Sequence, residues 1–181
     1  MGFYATASTL YRNELIKYQQ SLIPNPEIIL KTDWAQQWYE SPAQFKFAEG
    51  GRYGGKSHNL AEVALKLLLK EPEESFLCAR LNRRDLSRSA VRLFRNKILD
   101  LGLEGNFEIK GGDANPVVYN RKGRGQIDFT GLQEHSAVTI KSYEDYKYCW
   151  LIEANEISQK AIDVAVPTFL RKAGSQIWAD W

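Results

Sequence analysis

Only two of the 181 residues are cysteines, Cys78 and Cys149, and each sits inside an apolar run. Two thiols so placed exclude a disulfide framework and read as buried free cysteines of a reducing compartment. No stretch reaches the ~18 continuous apolar residues of a membrane helix. A basic-then-apolar leader is missing from the N-terminus. The expectation is a soluble, intracellular protein with no membrane partner. Internal repeats and low-complexity tracts are absent as well, which argues against solenoid and disordered architectures. Charge of one sign is also scarce: 24 basic against 22 acidic residues leave a formal net charge of +2. That balance neither demands nor forbids a nucleic-acid partner, so any case for one rests on local patches. What remains is an ordinary globular composition, 44% hydrophobic and 25% charged, in a length that suits one domain with a real core.

The apolar spacing predicts a short amphipathic helix over residues 10–23, stopped by Pro24 and Pro26, and a second over 33–41, ending at Pro42. Residues 1–43 read as a helical arm on a main domain spanning 44–181. In that domain the pattern predicts a strand at 45–49, an apolar helix at 56–70 and a buried strand at 75–80. A basic helix follows at 84–101, then a hairpin of 117–119 and 126–130 around Asn-Arg-Lys-Gly-Arg-Gly. A buried strand at 148–153, a helix at 159–170 that Pro167 should kink or end, and a strand at 175–181 complete the chain. Strands alternating with helices imply an α/β fold, a mainly parallel sheet with helices on both faces. In such sheets ligands bind at the carboxyl ends of the strands.

The sharpest motif is Gly50-Gly51-Arg52-Tyr53-Gly54-Gly55-Lys56-Ser57, a full match to the phosphate-binding loop pattern between a predicted strand and a predicted helix. The glycines let successive backbone N–H groups turn inward as an anion site at a helix N-terminus. Lys56 brings a positive charge to the β- and γ-phosphates of ATP, and the Ser57 hydroxyl suits the Mg²⁺ that bridges them. His58 reads as a helix-surface residue.

Phe45-Lys46-Phe47-Ala48-Glu49-Gly50-Gly51-Arg52 running into Gly55-Lys56-Ser57 resembles the start of phage terminase large subunits. Further blocks are similar in the same order: Cys78-Ala79-Arg80, Gly131-Leu132, Lys141-Ser142-Tyr143, Tyr148-Cys149-Trp150, Glu153-Ala154-Asn155-Glu156, Val166-Pro167-Thr168 and Gly174-Ser175-Gln176-Ile177-Trp178. The resemblance runs from about residue 34 to the end. It implies a P-loop NTPase of the RecA-like class with an additional strand and a catalytic glutamate, bearing a β-hairpin insertion. The implied activity is an ATPase that drives double-stranded DNA into a procapsid. Its implied partners are DNA, the terminase small subunit, the portal protein and further copies of the chain in a ring, in the cytoplasm of a bacterial host. By the same resemblance Glu153 would orient the attacking water, and Arg52 would act as an arginine finger, although an arginine paired to a nearby carboxylate is the alternative. An Asn-Pro-containing coupling motif and a nuclease domain would follow residue 181.

Two departures stand out. The acidic strand of these ATPases ends in two acids, the first for magnesium and the second for catalysis, and here the pair is Ile152-Glu153. Either hydrolysis is weakened, which is the favoured reading, or another carboxylate supplies the missing contact. Tyr53 stands where the family usually has glycine.

Arg84, Arg88, Arg92 and Arg95 share one helix side, with Val91, Phe94, Ile98 and Leu101 opposite and Arg83 and Lys97 adding charge nearby. Arg121, Lys122 and Arg124 make a second basic spot in the hairpin turn. Either patch suits backbone contacts to DNA, and either suits an ordinary solvated surface. Gln36, Gln37, Trp34 and Trp38 precede the loop by a spacing similar to the family's base-contacting glutamine region, with Gln36 the favoured contact; packing of the arm explains the aromatics equally well. A nucleotide-binding module without turnover and a helicase-like ATPase of the same fold are the competing readings.

Overall fold

The computed structural model describes residues 3–51, 53–82, 86, 89–112, 115–133 and 140–181, with backbone alone for 3–11. Arg52, Arg83, Arg84 and Arg88 therefore lie outside the described residues. In chain order the elements are α1 (Phe3–Ser21), α2 (Asp33–Glu40), β1 (Phe45–Ala48), α3 (Lys56–Lys70), β2 (Phe76–Arg80), α4 (Ala90–Asp100), β3 (Phe107–Lys110), β4 (Val117–Asn120), β5 (Gln126–Gly131), β6 (Tyr148–Leu151), α5 (Gln159–Phe169) and β7 (Gln176–Asp180).

The seven strands form one sheet in the order β1-β7-β6-β2-β5-β4-β3. The first five are mutually parallel, and β4 and β3 extend the sheet antiparallel. Strand β7 lies between the strand that feeds the phosphate loop and β6, the acidic strand. Strand β3 is the element the sequence pattern misses. The hairpin's second arm, β5, pairs with β2 and belongs to the parallel core, so β4 and β3 are what is added to the sheet.

Helices cover both faces. Strand residues alternate between them: Phe76, Cys78, Tyr148, Trp150 and Trp178 face a core with α2, α3 and α4. Leu77, Ala79, Cys149, Leu151, Ile177 and Ala179 face the side covered by α5. Helix α3 is apolar over most of its circumference because it is covered nearly all round. Its buried Glu62 pairs with Lys97 of α4 at 2.6 Å. Lys97 is therefore neutralised inside the fold, which corrects the expectation that it adds charge to a basic surface. Pro167 sits within α5 without ending it before Phe169.

The described side chains of α1 face solvent, with Leu15, Ile16 and Tyr18 exposed, whereas Ile28, Leu30, Ala35 and Trp38 belong to the main core. At the opposite end of the sheet from the phosphate loop, the β4–β5 turn packs on the α3–β2 connection. The Gly125 N–H donates to the Pro72 carbonyl at 2.8 Å. A Cβ at Gly123 would come within 2.2 Å of that carbonyl oxygen, so the turn requires glycine there.

Lys46 of β1 is 6% exposed. Its Nζ donates to the Trp38 carbonyl at 2.6 Å and lies 5.8 Å from the Trp178 ring. Burial lowers its pKa from 10.5 to about 8. Between those two values the unfolded chain holds a proton that the folded chain has released, so folding stability rises with pH there. Thermal melts should show the parent gaining on Lys46→Met as pH climbs from about 8 toward 10. A pH-independent difference would mean that this lysine titrates normally.

Candidate nucleotide site

The chain leaves the carboxyl end of β1 and turns through residues 50–55 into α3. Gly50 N donates to the Trp181 carbonyl at 3.3 Å, and Gly54 N to Gly51 O at 3.3 Å. Gly55 takes φ 73°, the left-handed conformation that glycine adopts without strain. Tyr53 takes φ 69° and stands fully exposed. The loop thus accepts a side chain where glycine is usual, in a conformation that costs an L-residue ~1–2 kcal/mol. Lys56 Nζ folds back to donate to the Gly50 carbonyl, and lies 3.5 Å from that of Gly51. Asn59, one turn into α3, donates to Gly55 O at 2.9 Å and accepts from Thr32 Oγ1 at 2.9 Å, tying the segment before α2 to the loop. Sequence reasoning misses Asn59, because nothing local marks a partner 27 residues away.

A cavity of about 560 Å³ opens over the loop. Gly50, Gly51, Tyr53, Gly54, Gly55, Lys56 and Ser57 line one side, and Ile152, Glu153, Glu156 and Asp180 the other. His58 stands exposed at its rim. A second cavity of about 560 Å³ shares Gly50, Gly54 and Lys56 with the first and runs to Trp34, Gln37, Trp38 and Lys46. The two meet at the loop, the first floored by its glycines, Lys56 and Ser57 and the second walled by Trp34 and Trp38. Gln37 lines that second wall, while the Gln36 amide donates along α2 to Glu40.

The acidic strand ends sooner than its pattern suggests, at Leu151. Ile152 still donates its N–H to the Ala79 carbonyl at 2.8 Å and is buried on the α3 face. Glu153 turns away in the left-handed region, φ 52°. Its carboxylate pairs with the Arg80 guanidinium from the tip of β2, which also lies 3.6 Å from Glu156. Burial raises the Glu153 pKa, Arg80 pulls it down, and Glu156 and Asp180 push it up. Arg80 and Asp180 are the site residues that sequence reading does not single out. Asp180, at the tip of β7, accepts from Trp150 Nε1 at 3.0 Å and from the Glu153 N–H at 3.3 Å. Its pKa is raised by burial, against the pull of those two bonds and of Lys56 and Arg80.

Of the basic residues, Arg92 and Arg95 are exposed on α4. Arg121 is exposed 3.6 Å from Glu108, Lys122 is half-buried, and Arg124 is exposed, all in the β4–β5 turn. That turn is remote from the nucleotide cavity, since it lies at the amino end of β5. No group of three or more His, Cys, Asp or Glu side chains placed to hold a metal occurs among the described residues, and no described helix is long and apolar enough to cross a membrane.

A family described as phage terminase large subunit matches residues 42–180. Among solved structures, the large terminase of a thermophilic bacteriophage gives a TM-score of 0.65 at 13% identity, over 81% of this chain and 37% of that one. The same phage protein has also been solved with ADP and with ATP-γ-S. The large terminase ATPase domain of Thermus phage P74-26 gives 0.62 at 13% identity, over 86% of this chain and 64% of that one. The HK97 bacteriophage large terminase gives 0.63 at 11% identity, over 86% and 33%. No curated protein matches the chain. This chain therefore spans little more than a third of the thermophilic phage protein, and at such identities the likeness is one of fold. Because the matched segment takes in all seven strands and the phosphate loop, the chain belongs to the phage terminase large subunit family, with the RecA-like P-loop fold of that family's ATPase domains.

Proposed function

We propose that this chain is the ATP-binding motor domain of a terminase large subunit, using ATP hydrolysis to drive double-stranded DNA into a procapsid. One observation carries the reading: the phosphate loop and Glu153, from strands β1 and β6, line a single cavity. In this reading the loop N–H groups and Lys56 hold the β- and γ-phosphates. A water attacks the γ-phosphorus, the bond to the β,γ-bridging oxygen breaks, and Glu153 takes the proton, leaving ADP and phosphate. Glu153 must first leave Arg80 to reach that water. Arg52, within the loop, would stabilise charge on the transferred group. The adenine fits the cavity of Trp34 and Gln37, where the geometry favours Gln37 over Gln36.

Magnesium would supply charge neutralisation of the phosphates, and it takes hard oxygen ligands while keeping several of its waters. The residues fit it in part: the Ser57 hydroxyl and the Asp180 carboxylate line the cavity, while Ile152 offers no oxygen. We assign to Ile152 a weakened hydrolysis. Ile152→Glu should raise turnover about tenfold, equivalent to ~1.4 kcal/mol of transition-state stabilisation, in a chain that still melts cooperatively. Unchanged turnover would sink this account of the acidic pair.

DNA would be gripped through its backbone by Arg92 and Arg95, with Arg84 and Arg88 on the same predicted helix side, or by the turn of Arg121, Lys122 and Arg124. The small subunit, the portal and a ring of further copies would complete the assembly in the cytoplasm of the bacterial host. The competing reading, a nucleotide module without turnover, draws on the Arg80–Glu153 pair and on Ile152. Calorimetric titration with ATP, with and without Mg²⁺, followed by a turnover assay, separates them: one saturable site with phosphate release supports the motor, and binding without release the module. No binding would overturn both.

A further inference from the structure

We propose that Asp180 is the carboxylate that serves the nucleotide-bound divalent cation in this chain, holding it from β7 for nucleotide binding while the lack of an acid at position 152 still weakens hydrolysis. The proposal rests on the nucleotide reading above. It starts from strand alternation. On β6, Tyr148 and Trp150 face α3, while Cys149 and Leu151 face the other side, so Ile152 returns to the α3 face. On β7, Trp178 faces α3 and Ala179 does not, so Asp180 returns to the α3 face as well. Leu151 and Ala179 are register partners. Ile152 and Asp180 each lie one residue beyond that pair, side by side on neighbouring strands, and both line the cavity with Lys56 and Ser57. The carboxylate missing from β6 is thus present one strand over, on the same face.

The surroundings of Asp180 suit a cation better than they suit a purely structural acid. The residue is 4% exposed. One oxygen, Oδ1, takes both of its hydrogen bonds, from Trp150 Nε1 at 3.0 Å and from the Glu153 N–H at 3.3 Å. Both donors are neutral. Oδ2 takes no donor among the described residues, and none of the ion pairs among them includes Asp180. Two neutral donors would be served equally well by an amide oxygen, without the cost of burying a charge. Lys56 and Arg80 act on it through space. A magnesium ion on the phosphates, reached directly or through one of its waters, would supply a counter-charge in closer reach than Lys56 and Arg80, neither of which pairs with Asp180 among the described residues.

The test compares affinity for ATP-γ-S in Mg²⁺ and in EDTA, by calorimetry, for the parent, Asp180→Asn and Asp180→Asn/Ile152→Asp. Asparagine keeps an acceptor for Trp150 and Glu153, so a merely structural role predicts no change in the Mg²⁺ effect. The expected result is a gain of about tenfold or more from Mg²⁺ in the parent, its collapse toward unity in Asp180→Asn, and its return in the double variant. A parent gain that Asp180→Asn leaves intact overturns the proposal alone, as does a parent that binds with no gain. A parent that binds in neither condition overturns the nucleotide reading and the proposal with it. A second measurement needs no variant to fold: with Mn²⁺ as the probe and aspartate carboxyl carbons labelled with ¹³C, pulsed electron paramagnetic resonance of the parent should show a coupling within one water of the metal. No such coupling overturns the assignment.

Discussion

Lys56→Ala should remove saturable ATP binding from the range that calorimetry reads for the parent. The ammonium is the one described cation that lines both cavities meeting at the loop. Its reach over the loop is set by the turn from β1 into α3, which brings Nζ to the carbonyls of Gly50 and Gly51. In the proposed ATP complex those contacts would give way to charge-assisted bonds on the β- and γ-phosphates, worth roughly 1.5–3 kcal/mol, or about ten- to a hundredfold in Kd. The fold itself should be little changed, because Lys56 is only half-buried at the first position of the helix and the backbone N–H groups remain. Lys160→Ala, a change to an exposed lysine on α5, serves as the control. Equal ATP affinity in Lys56→Ala and the parent would mean that the loop does not bind phosphate, and the motor reading would fall.

The phosphate loop and its helix were the most legible parts of the chain. A glycine pattern of fixed spacing, followed by an apolar run, carries its own geometry, and the observed α3 has the bounds 56–70 that the sequence predicts. Strand β3 was not legible. Its four residues, Phe-Glu-Ile-Lys, alternate in a way that any surface loop can, and its pairing with β4 decides the matter. The apolar pattern carries β6 two residues past its observed end, since periodicity does not report where Glu153 swings into the left-handed region. The electrostatics of the site were the least legible. Arg80 meets Glu153 across 73 residues, Trp150 meets Asp180 across 30 and Lys97 meets Glu62 across 35. Each pair is created by strand order or helix packing, which no local window contains. Asp180 shows this most clearly: in sequence it is one acid near the end of an apolar strand, and only the insertion of β7 beside β6 gives it a role.

The aromatics before the loop were ambiguous for a related reason, and the structure divides them. Trp34 and Gln37 line the cavity beside the loop, and Trp38 is at once a wall of it and part of the core. Its ring meets Trp178 edge-on, with centroids 5.7 Å apart. Trp178 is fully buried, and it also meets Phe76 at 5.0 Å and Tyr148 at 6.3 Å. Its indole N–H donates to Gln176 at 3.1 Å. One side chain therefore joins α2 to three strands, among them the β7 that carries Asp180 and pairs with the β1 that feeds the loop. Trp178→Ala should cost about 3–5 kcal/mol, a large share of the ~5–15 kcal/mol that stabilises a typical domain. Trp178→Phe retains most of the ring packing and should cost clearly less. Urea unfolding followed by circular dichroism reads both as shifts in midpoint at an unchanged slope. The loss should also weaken ATP binding, because α2 and β1 flank the cavity beside the loop. A midpoint shift in Trp178→Ala worth less than about 1 kcal/mol, well below the usual cost of truncating a buried aromatic, would mean that α2 is an appendage and not part of the core. The cavity it walls would then have no fixed shape.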